Sequence, residues 1–223
     1  MADVSRLELL GVPCSGKSYT VGSVRSSRVR VRLAEKAKRP DRLWKAMTTS
    51  VRRPALLGLF ATLGAVRPCH LAGQLRAVFR FVSRYDEYLA DSGIRDGIRL
   101  VDEGMVQATW GLLLQPCLDR GSPVDRAELL RVAVKFWPSR ESGCAVLFLD
   151  TPREEILQRS ASREVNHPFT RIQLSGNSEA EAVGIELLQR IRGLCADLGL
   201  LLEPGEAREI LGEGTDAGPL ERP

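Results

Sequence analysis

The chain contains 223 residues, of which 43% are hydrophobic and 27% charged, and it carries a net charge of +4. This composition excludes a disordered chain, and the length suits one α/β domain with an elaboration. No leader-like segment opens the sequence, and the longest apolar run, residues 54–66, is too short to cross a bilayer, so we expect a cytoplasmic protein without a membrane role.

The first motif lies near the amino end. Residues 11–18 read Gly-Val-Pro-Cys-Ser-Gly-Lys-Ser and fit the phosphate-loop pattern G-x-x-x-x-G-K-[S/T] at every fixed position. A short apolar strand over residues 4–10 precedes the motif, and a helix over 19–33 that runs on towards residue 38 is predicted to follow it. Strand, loop and helix thus come in the order that a phosphate site requires, which disfavours a glycine-rich turn that binds nothing.

The motif also indicates roles for its residues. The lysine, Lys17, reaches the β and γ phosphates, and the hydroxyl of Ser18 is a ligand of Mg²⁺. ATP and Mg²⁺ are therefore the expected cofactors. The residues expected to bind the nucleotide form the whole loop: Gly11, Val12, Pro13, Cys14, Ser15, Gly16, Lys17 and Ser18.

The next part of the chain is strongly basic. Residues 25–53 contain eleven basic and two acidic side chains, which either attract an anionic substrate or are solvated helix faces. Few aromatic residues interleave with these charges, which disfavours nucleic acid as a partner. Helices are predicted over 41–53, 55–66 and 71–90, so we expect a helical insertion over about residues 41–92, where an acceptor would bind.

Residues 97–103 form an apolar strand that ends in two carboxylates, Asp102 and Glu103. Ligands of an open parallel sheet lie beyond the carboxyl ends of its strands, so both side chains should lie beside the phosphate loop if this strand neighbours the first. We expect Asp102 to hold Mg²⁺ and Glu103 to take a proton from an attacking hydroxyl or water. The alternative is that the pair only caps a helix predicted over 105–118.

A continuous apolar run at residues 144–150 indicates a strand buried on both faces, and Pro152 favours the start of a helix after it. Arg159 and Arg163 are four residues apart, so they share a helix face on which they could clamp a phosphate. The following loop, residues 164–177, is predicted to be a mobile flap. Together these features predict a lid over about residues 159–177.

The carboxyl-terminal part has the pattern of an amphipathic helix at residues 179–198 and of a last short strand at 198–202. Residues 205–223 are rich in Gly, Glu and Pro, which predicts a flexible acidic tail. Five cysteines without a C-x-x-C pair indicate neither a disulfide framework nor a zinc site. We therefore expect a single domain over residues 1–204, followed by the tail.

With these residues in view, the chain resembles the P-loop kinases of nucleotides and small molecules, in the neighbourhood of thymidylate kinase and the deoxynucleoside kinases. The resemblance is carried by residues 11–18, by 100–104, and by 146–152 together with Arg159 and Arg163. It implies a three-layer P-loop NTPase fold of the α/β class, with a mostly parallel sheet flanked by helices. It also implies that Arg159 and Arg163 close over the transferring phosphoryl group.

The resemblance has one clear departure. Thymidylate kinases carry Asp-Arg, and deoxynucleoside kinases Glu-Arg-Ser, where this chain has Asp-Glu-Gly at residues 102–104. The substrate-binding arginine of those families is therefore absent at that point.

We therefore expect an enzyme, an ATP-dependent phosphotransferase that moves the γ-phosphoryl group to a small-molecule or nucleotide acceptor, most simply an anionic one. Its expected catalytic residues are Lys17, Glu103, Arg159 and Arg163, and a homodimer is left open. The alternative is a P-loop ATPase that acts as a regulatory or partner-binding switch, although the chain lacks the L-S-G-G-Q and N-K-x-D motifs of transporter ATPases and GTPases. A third hypothesis is a module that holds nucleotide without chemistry.

Overall fold

The computed structural model of the chain describes residues 4–24, 29–32, 48–49, 53, 56–61, 68–91, 97–118, 125–161 and 168–212. Its centre is a sheet of four parallel strands. The strands are β1 (Arg6–Leu10), β2 (Val29–Arg32), β3 (Ile98–Val101) and β4 (Cys144–Phe148), and their order in the sheet is β2-β3-β1-β4. The expectation of an α/β chain with a parallel sheet is confirmed.

The first strand lies inside the sheet, between β3 and β4, and every one of its residues is buried. It pairs in parallel with β3, where Glu8 faces Val101, and with β4, where Leu10 faces Phe148. Parallel strands covered on both faces are typically continuous apolar runs, as β4 is, whereas β1 also buries the charged side chains of Arg6 and Glu8. The carboxyl ends of β3, β1 and β4 therefore meet at one edge of the sheet.

Helices cover both faces of the sheet. Those in the described residues are α1 (Lys17–Ser23), α2 (Leu57–Ala61), α3 (Pro68–Asp91), α4 (Met105–Leu118), α5 (Arg126–Val134), α6 (Arg153–Ala161), α7 (Pro168–Leu174), α8 (Ser178–Asp197) and α9 (Pro204–Leu211). α4 packs against α3, α5 and α8 in the larger apolar core, whereas α9 contributes to a second core on the other side of the sheet. None of the described helices is long and apolar enough to cross a membrane.

Several predicted helices are confirmed. α4 has the predicted bounds, and α3 and α8 match the predicted helices over 71–90 and 179–198 within a few residues. α2 occupies part of the helix predicted over 55–66. Most of the helix predicted over 41–53, and most of the basic region 25–53, lie outside the described residues.

The first helix was predicted wrongly. α1 ends at Ser23, and the strand β2 begins at Val29, inside the segment predicted to be helical. The sequence Val-Arg-Val-Arg alternates with a period of two, which places both valines on one face of a strand. β-branched residues also lose side-chain freedom in a helix, so this segment favours the sheet edge.

The predicted flap is also wrong, because α7 occupies residues 168–174 of it. Phe169 is fully buried, and its ring lies 5.1 Å from the ring of Trp110 in an edge-on contact. An anchored aromatic residue of this size holds the segment against the core. Before α7, residues 159–161 of the predicted lid are the end of α6, and residues 162–167, including Arg163, lie outside the described residues.

The part of the predicted tail that the structure describes, residues 205–212, belongs to the helix α9 and its cap, so the tail prediction is wrong for these residues. α9 starts at Pro204, and its residues Ala207 and Leu211, four apart, are both buried in the second core. The helix ends at Gly212, whose φ is 75°. The last strand predicted at 198–202 is reduced to one parallel bridge between Leu201 and Val146. Residues 213–223 lie outside the described part.

Candidate functional site

Residues 11–18, which we call the phosphate loop after the sequence pattern that they fit, lead from β1 into α1 and turn through two left-handed residues. Cys14 has a φ of 65° and Gly16 a φ of 95°. Within the described residues Cys14 is the one non-glycine with a positive φ, a conformation that costs on the order of 1 kcal/mol for such a residue. Left-handed residues in a turn make the backbone concave, with N–H groups that can face an anion. The loop therefore has the shape of an anion site.

The loop is closed tightly at its first residue, Gly11. A Cβ atom there would lie 2.5 Å from Ser15 Oγ and 3.2 Å from the carbonyl oxygen of Leu149, so a larger residue would push the loop open. The Ser15 hydroxyl is buried and has no hydrogen-bond partner in the described part of the chain. Buried hydroxyls are normally hydrogen-bonded, so this group has capacity left for a ligand.

Lys17 is folded back over the loop. Its Nζ donates hydrogen bonds to the carbonyl oxygens of Gly11, at 2.7 Å, and of Val12, at 2.9 Å. The residue as a whole is partly exposed, but protein atoms surround its ammonium group, and this burial lowers the pKa of Lys17 to about 8. The carboxylates of Glu103 and Asp102 oppose the shift. Lys17 is therefore within electrostatic range of both acidic residues.

The acidic turn, residues 102–104, lies beside the loop because β3 is the neighbour of β1. A third side chain connects the two: Gln107, one helical turn after Glu103 on α4, accepts a hydrogen bond from the backbone N–H of Gly11 at 3.0 Å. The predicted neighbourhood of acidic turn and phosphate loop is confirmed. Gln107 was not predicted, although its position in the first turn of α4, directly after the acidic turn, was the available signal.

The hydrogen bonds at the start of α4 test the alternative that Asp102 and Glu103 only cap this helix. The backbone N–H of Val106 donates to Glu8 Oε2 at 3.1 Å, so a residue of β1 provides this cap. Glu103 instead faces α3, where its Oε2 lies 3.5 Å from Arg84 Nη2, and its side chain remains 43% exposed. The Glu103 carboxylate is thus accessible at the edge of the sheet.

Arg84 is the second side chain that sequence reasoning missed. It is buried on α3, and its Nη1 donates to Glu87 at 2.7 Å. Its Nε is buried and has no hydrogen-bond partner in the described part of the chain. Arg80 precedes it by one helical turn, and this spacing of two arginines was the available signal.

The other side of the loop is contacted by the segment after β4. The hydroxyl of Thr151 donates to the carbonyl oxygen of Ser15 at 2.7 Å. Arg159 on α6 donates through Nη1 to the carbonyl oxygen of Cys14 at 3.2 Å, and through Nη2 to Glu155 at 3.2 Å. Arg159 therefore lies at the loop, where the sequence places it.

Four of the predicted site residues thus come together at one edge of the sheet: Lys17, Asp102, Glu103 and Arg159. Ser18 is in the first turn of α1, but its side chain is not described, and Arg163 lies outside the described residues. Three segments that are far apart in sequence meet at one small loop.

The residues present fit a magnesium ion held together with phosphates. No group of three His, Cys, Asp or Glu side chains that could hold a metal occurs among the described residues. Magnesium does not require one, because it usually keeps several waters and binds one or two carboxylates and the phosphates of a substrate. Asp102 and Ser18 offer the oxygen ligands that this arrangement uses.

Comparison of the chain with protein-family models and with curated proteins found no match.

Proposed function

We propose that the chain is an MgATP-dependent phosphotransferase that acts on a small anionic acceptor. One observation carries the proposal: a lysine, two carboxylates and an arginine from three separate segments converge on one concave loop. Phosphoryl transfer needs mainly positioning and neutralisation of charge, and these side chains can provide both.

The roles follow from the positions of the side chains. The loop backbone and Lys17 hold the β and γ phosphates, while Ser18 and Asp102 hold the metal. When bound, Mg²⁺ would supply part of the charge neutralisation that phosphoryl transfer needs. Glu103 takes the proton from the acceptor oxygen as that oxygen forms its bond to the γ phosphorus. The bond from that phosphorus to the bridging oxygen breaks, ADP leaves, and Arg159 stabilises the charge that develops.

The acceptor side is indicated by a narrow cleft between α3 and α4. Its enclosed space is about 20 Å³, which has room for one small group of an acceptor whose remainder would lie towards the solvent. The polar side chains that line it are Arg80, Arg84, Glu103 and Gln107. Since Gln107 also binds the N–H of Gly11, the cleft adjoins the phosphate loop. An acceptor in this cleft would have its nucleophilic oxygen close to Glu103.

Arg84 favours an acceptor with an anionic group. The Nε–H and one Nη2–H of an arginine lie on the same edge of the guanidinium plane and can bind a carboxylate or phosphate with two parallel hydrogen bonds. On this edge of Arg84, Nε has no hydrogen-bond partner among the described residues. Nη2 makes a long contact, at 3.5 Å, with Oε2 of Glu103. Arg84, on α3, can therefore supply the positive charge that an arginine in the acidic turn supplies in the kinases that the chain resembles.

A nucleotide-dependent switch is the second candidate, and one observation favours it. Lys17 and Arg159 both donate to carbonyl oxygens of the loop itself. A nucleotide that draws these side chains to its phosphates changes the contacts of the loop and of α6 at the same time. Such coupling gives a switch two states that the ligand can distinguish.

Consumption of ATP with and without acceptors separates the two candidates. The acceptors are a panel of nucleoside monophosphates, sugar phosphates and hydroxy acids, with the matching neutral sugars as controls. A phosphotransferase yields a phosphorylated product only with an acceptor, whereas a switch releases inorganic phosphate without one. Phosphate release at the same rate throughout the panel, with no new phosphorylated product, would contradict the phosphotransferase. Unchanged turnover in Lys17→Met would contradict both.

A further inference from the structure

A carboxylate is buried in the middle of the sheet. Glu8, the third residue of β1, is 1% exposed and is surrounded in the strand by apolar residues. A buried charge is costly unless it is paired and hydrogen-bonded. Its Oε1 accepts a hydrogen bond from Arg6 Nε at 3.0 Å, and its Oε2 accepts one from the backbone N–H of Val106 at 3.1 Å.

Glu8 lies directly beneath the acidic turn. In the sheet it is level with Val101, the residue before Asp102. Val106, whose N–H it binds, follows the turn by two residues. The carboxylate also carries the charge that suits the positive amino end of a helix, here α4. Glu8 therefore contacts the acidic turn from the strand that leads into the phosphate loop.

Gly104 is matched to this carboxylate. A Cβ atom at position 104 would overlap the carboxyl group of Glu8. Gly104 is not among the glycines with a positive φ, so its backbone conformation alone does not require glycine. Its carbonyl oxygen accepts the first helical hydrogen bond, from Ala108 at 3.0 Å, a position that many residues can occupy. The space taken by Glu8 is what requires the glycine of Asp-Glu-Gly.

We infer that Glu8 and Gly104 are a matched positioning pair: the Glu8 carboxylate occupies the space of a side chain at residue 104 and holds the turn so that Asp102 and Glu103 lie beside the phosphate loop. Glu8 does not touch the nucleotide or the acceptor. It acts through the backbone of residues 104–106. The role in metal and nucleotide binding rests on the function proposed above, whereas the holding of the turn does not.

Two measurements test the inference on the full chain. Amide hydrogen exchange of residues 100–108 reports whether the turn is held. The dissociation constant of a fluorescent ATP analogue, with and without Mg²⁺, reports whether the carboxylates are in place. The variants are Glu8→Ala, Glu8→Gln, Gly104→Ala and the double variant Glu8→Ala with Gly104→Ala. The matched controls on α8 are Glu186→Ala, at an exposed position, and Gly193→Ala, where no described atom lies within 4 Å of the added methyl group.

The expected results distinguish positioning from general stabilisation. Glu8→Ala and Gly104→Ala should each weaken the Mg²⁺-dependent part of nucleotide binding by about tenfold, with little change in metal-free binding. Glu8→Gln keeps an oxygen for the N–H of Val106 and should retain most of the affinity. The double variant should bind better than Gly104→Ala, because the overlap is removed. The controls should behave as the unchanged protein does.

The inference is overturned if Glu8→Ala leaves the amide exchange of residues 100–108 unchanged. It is also overturned if the double variant loses as much nucleotide affinity as the two single variants lose together. If Glu8→Ala lowers the melting temperature but leaves the Mg²⁺ dependence of nucleotide binding unchanged, Glu8 has only a structural role and the inference is overturned as well. If the unchanged protein binds no nucleotide but Glu8→Ala still exposes the turn to exchange, the proposed function fails while the holding of the turn stands.

Discussion

Nη1 of Arg159 lies 3.2 Å from the carbonyl oxygen of Cys14, so α6 contacts the phosphate loop on the side opposite to the acidic turn. β1 lies between β3 and β4, and the loop that follows it therefore has a carboxylate-bearing neighbour on one side and an arginine-bearing neighbour on the other. Opposite charges placed on the two sides of one phosphate loop suit a substrate that carries both a metal ion and several anionic oxygens.

Arg159→Ala should lower turnover by about 10³-fold, because an arginine that neutralises transition-state charge acts mainly on the chemical step. The affinity for the ATP analogue should fall much less, since Lys17 and the loop backbone remain. Steady-state turnover and equilibrium binding, measured on the same preparation, check this. Arg190→Ala, an exposed position on α8, is the control. Equal losses in affinity and turnover would mean that Arg159 serves ground-state binding.

Arg84→Met should raise the KM for an anionic acceptor by roughly 10- to 100-fold, the usual effect of losing a hydrogen-bonded charge, while the affinity for ATP stays the same. Arg84→Lys should recover only part of the loss, because an ammonium cannot bind a carboxylate or phosphate along two parallel hydrogen bonds. Arg131→Met removes an exposed arginine, paired with Glu128 on α5, and is the control. A fall in kcat with an unchanged KM would instead mean that Arg84 only positions Glu103.

Nucleotide binding should take up a proton at pH values above 8. Burial lowers the pKa of Lys17 to about 8 in the free protein, and the negative charge of a bound triphosphate raises it again. Affinity should therefore fall by up to about tenfold per pH unit above pH 8. Calorimetry at pH 8.5 in buffers with different ionisation enthalpies measures the uptake, since the terminal phosphate is already ionised there. Lys17→Met should abolish it, and equal uptake in this variant would exclude Lys17 as the source.

The same group makes the stability of the nucleotide-free protein depend on pH. The pKa of Lys17 is about 8 in the folded chain and 10.5 for an unperturbed lysine, so between these values the unfolded chain binds more protons and folding becomes more favourable as pH rises. Because Lys17 is partly exposed, we expect the gain to be only about 1–2 kcal/mol. Urea unfolding at pH 7 and pH 10 should show it in the unchanged protein but not in Lys17→Met.

Two glycines of α8 provide a test of how α7 is held. A methyl group at Gly184 would overlap the ring of Phe169, whereas one at Gly193 meets no described atom within 4 Å. Gly184→Ala should therefore lower the free energy of unfolding by about 1–3 kcal/mol through overpacking. Gly193→Ala should raise it by about 0.5–1 kcal/mol, because alanine favours a helix. Equal effects of the two changes in urea unfolding would contradict the packing of Phe169 against α8.

Local patterns allowed α4, β4 and the turn between β1 and α1 to be predicted from the sequence. The turn has a characteristic spacing of glycine, lysine and serine, and β4 is a continuous apolar run. The same reasoning placed the acidic turn beside the loop, since it needed only the rule that parallel strands end at one edge. These features depend on a few neighbouring residues.

The missed features depend on contacts between residues that are far apart in sequence. Glu8 looks like a solvent-facing charge in a short strand until Val106 and Gly104 are seen above it. The place of Arg84 beside Glu103, with an Nε that has no hydrogen-bond partner among the described residues, depends on the packing of α3 against α4. Residues 205–211 of α9 were predicted to be flexible tail because they are rich in Gly and Glu. A helix this short is stable only when it packs, and the burial of Leu211 in the second core provides that packing.

The contacts that Lys17 and Arg159 make with the loop carbonyls also bear on selectivity. Any incoming anion must recover the hydrogen bonds that it displaces. An orthophosphate has four oxygens to share between these donors and a metal ion, whereas a polyphosphate chain has more oxygens and extends past both side chains. We therefore expect a polyphosphate to bind more tightly than inorganic phosphate, because it can replace the contacts of Lys17 and of Arg159 at the same time.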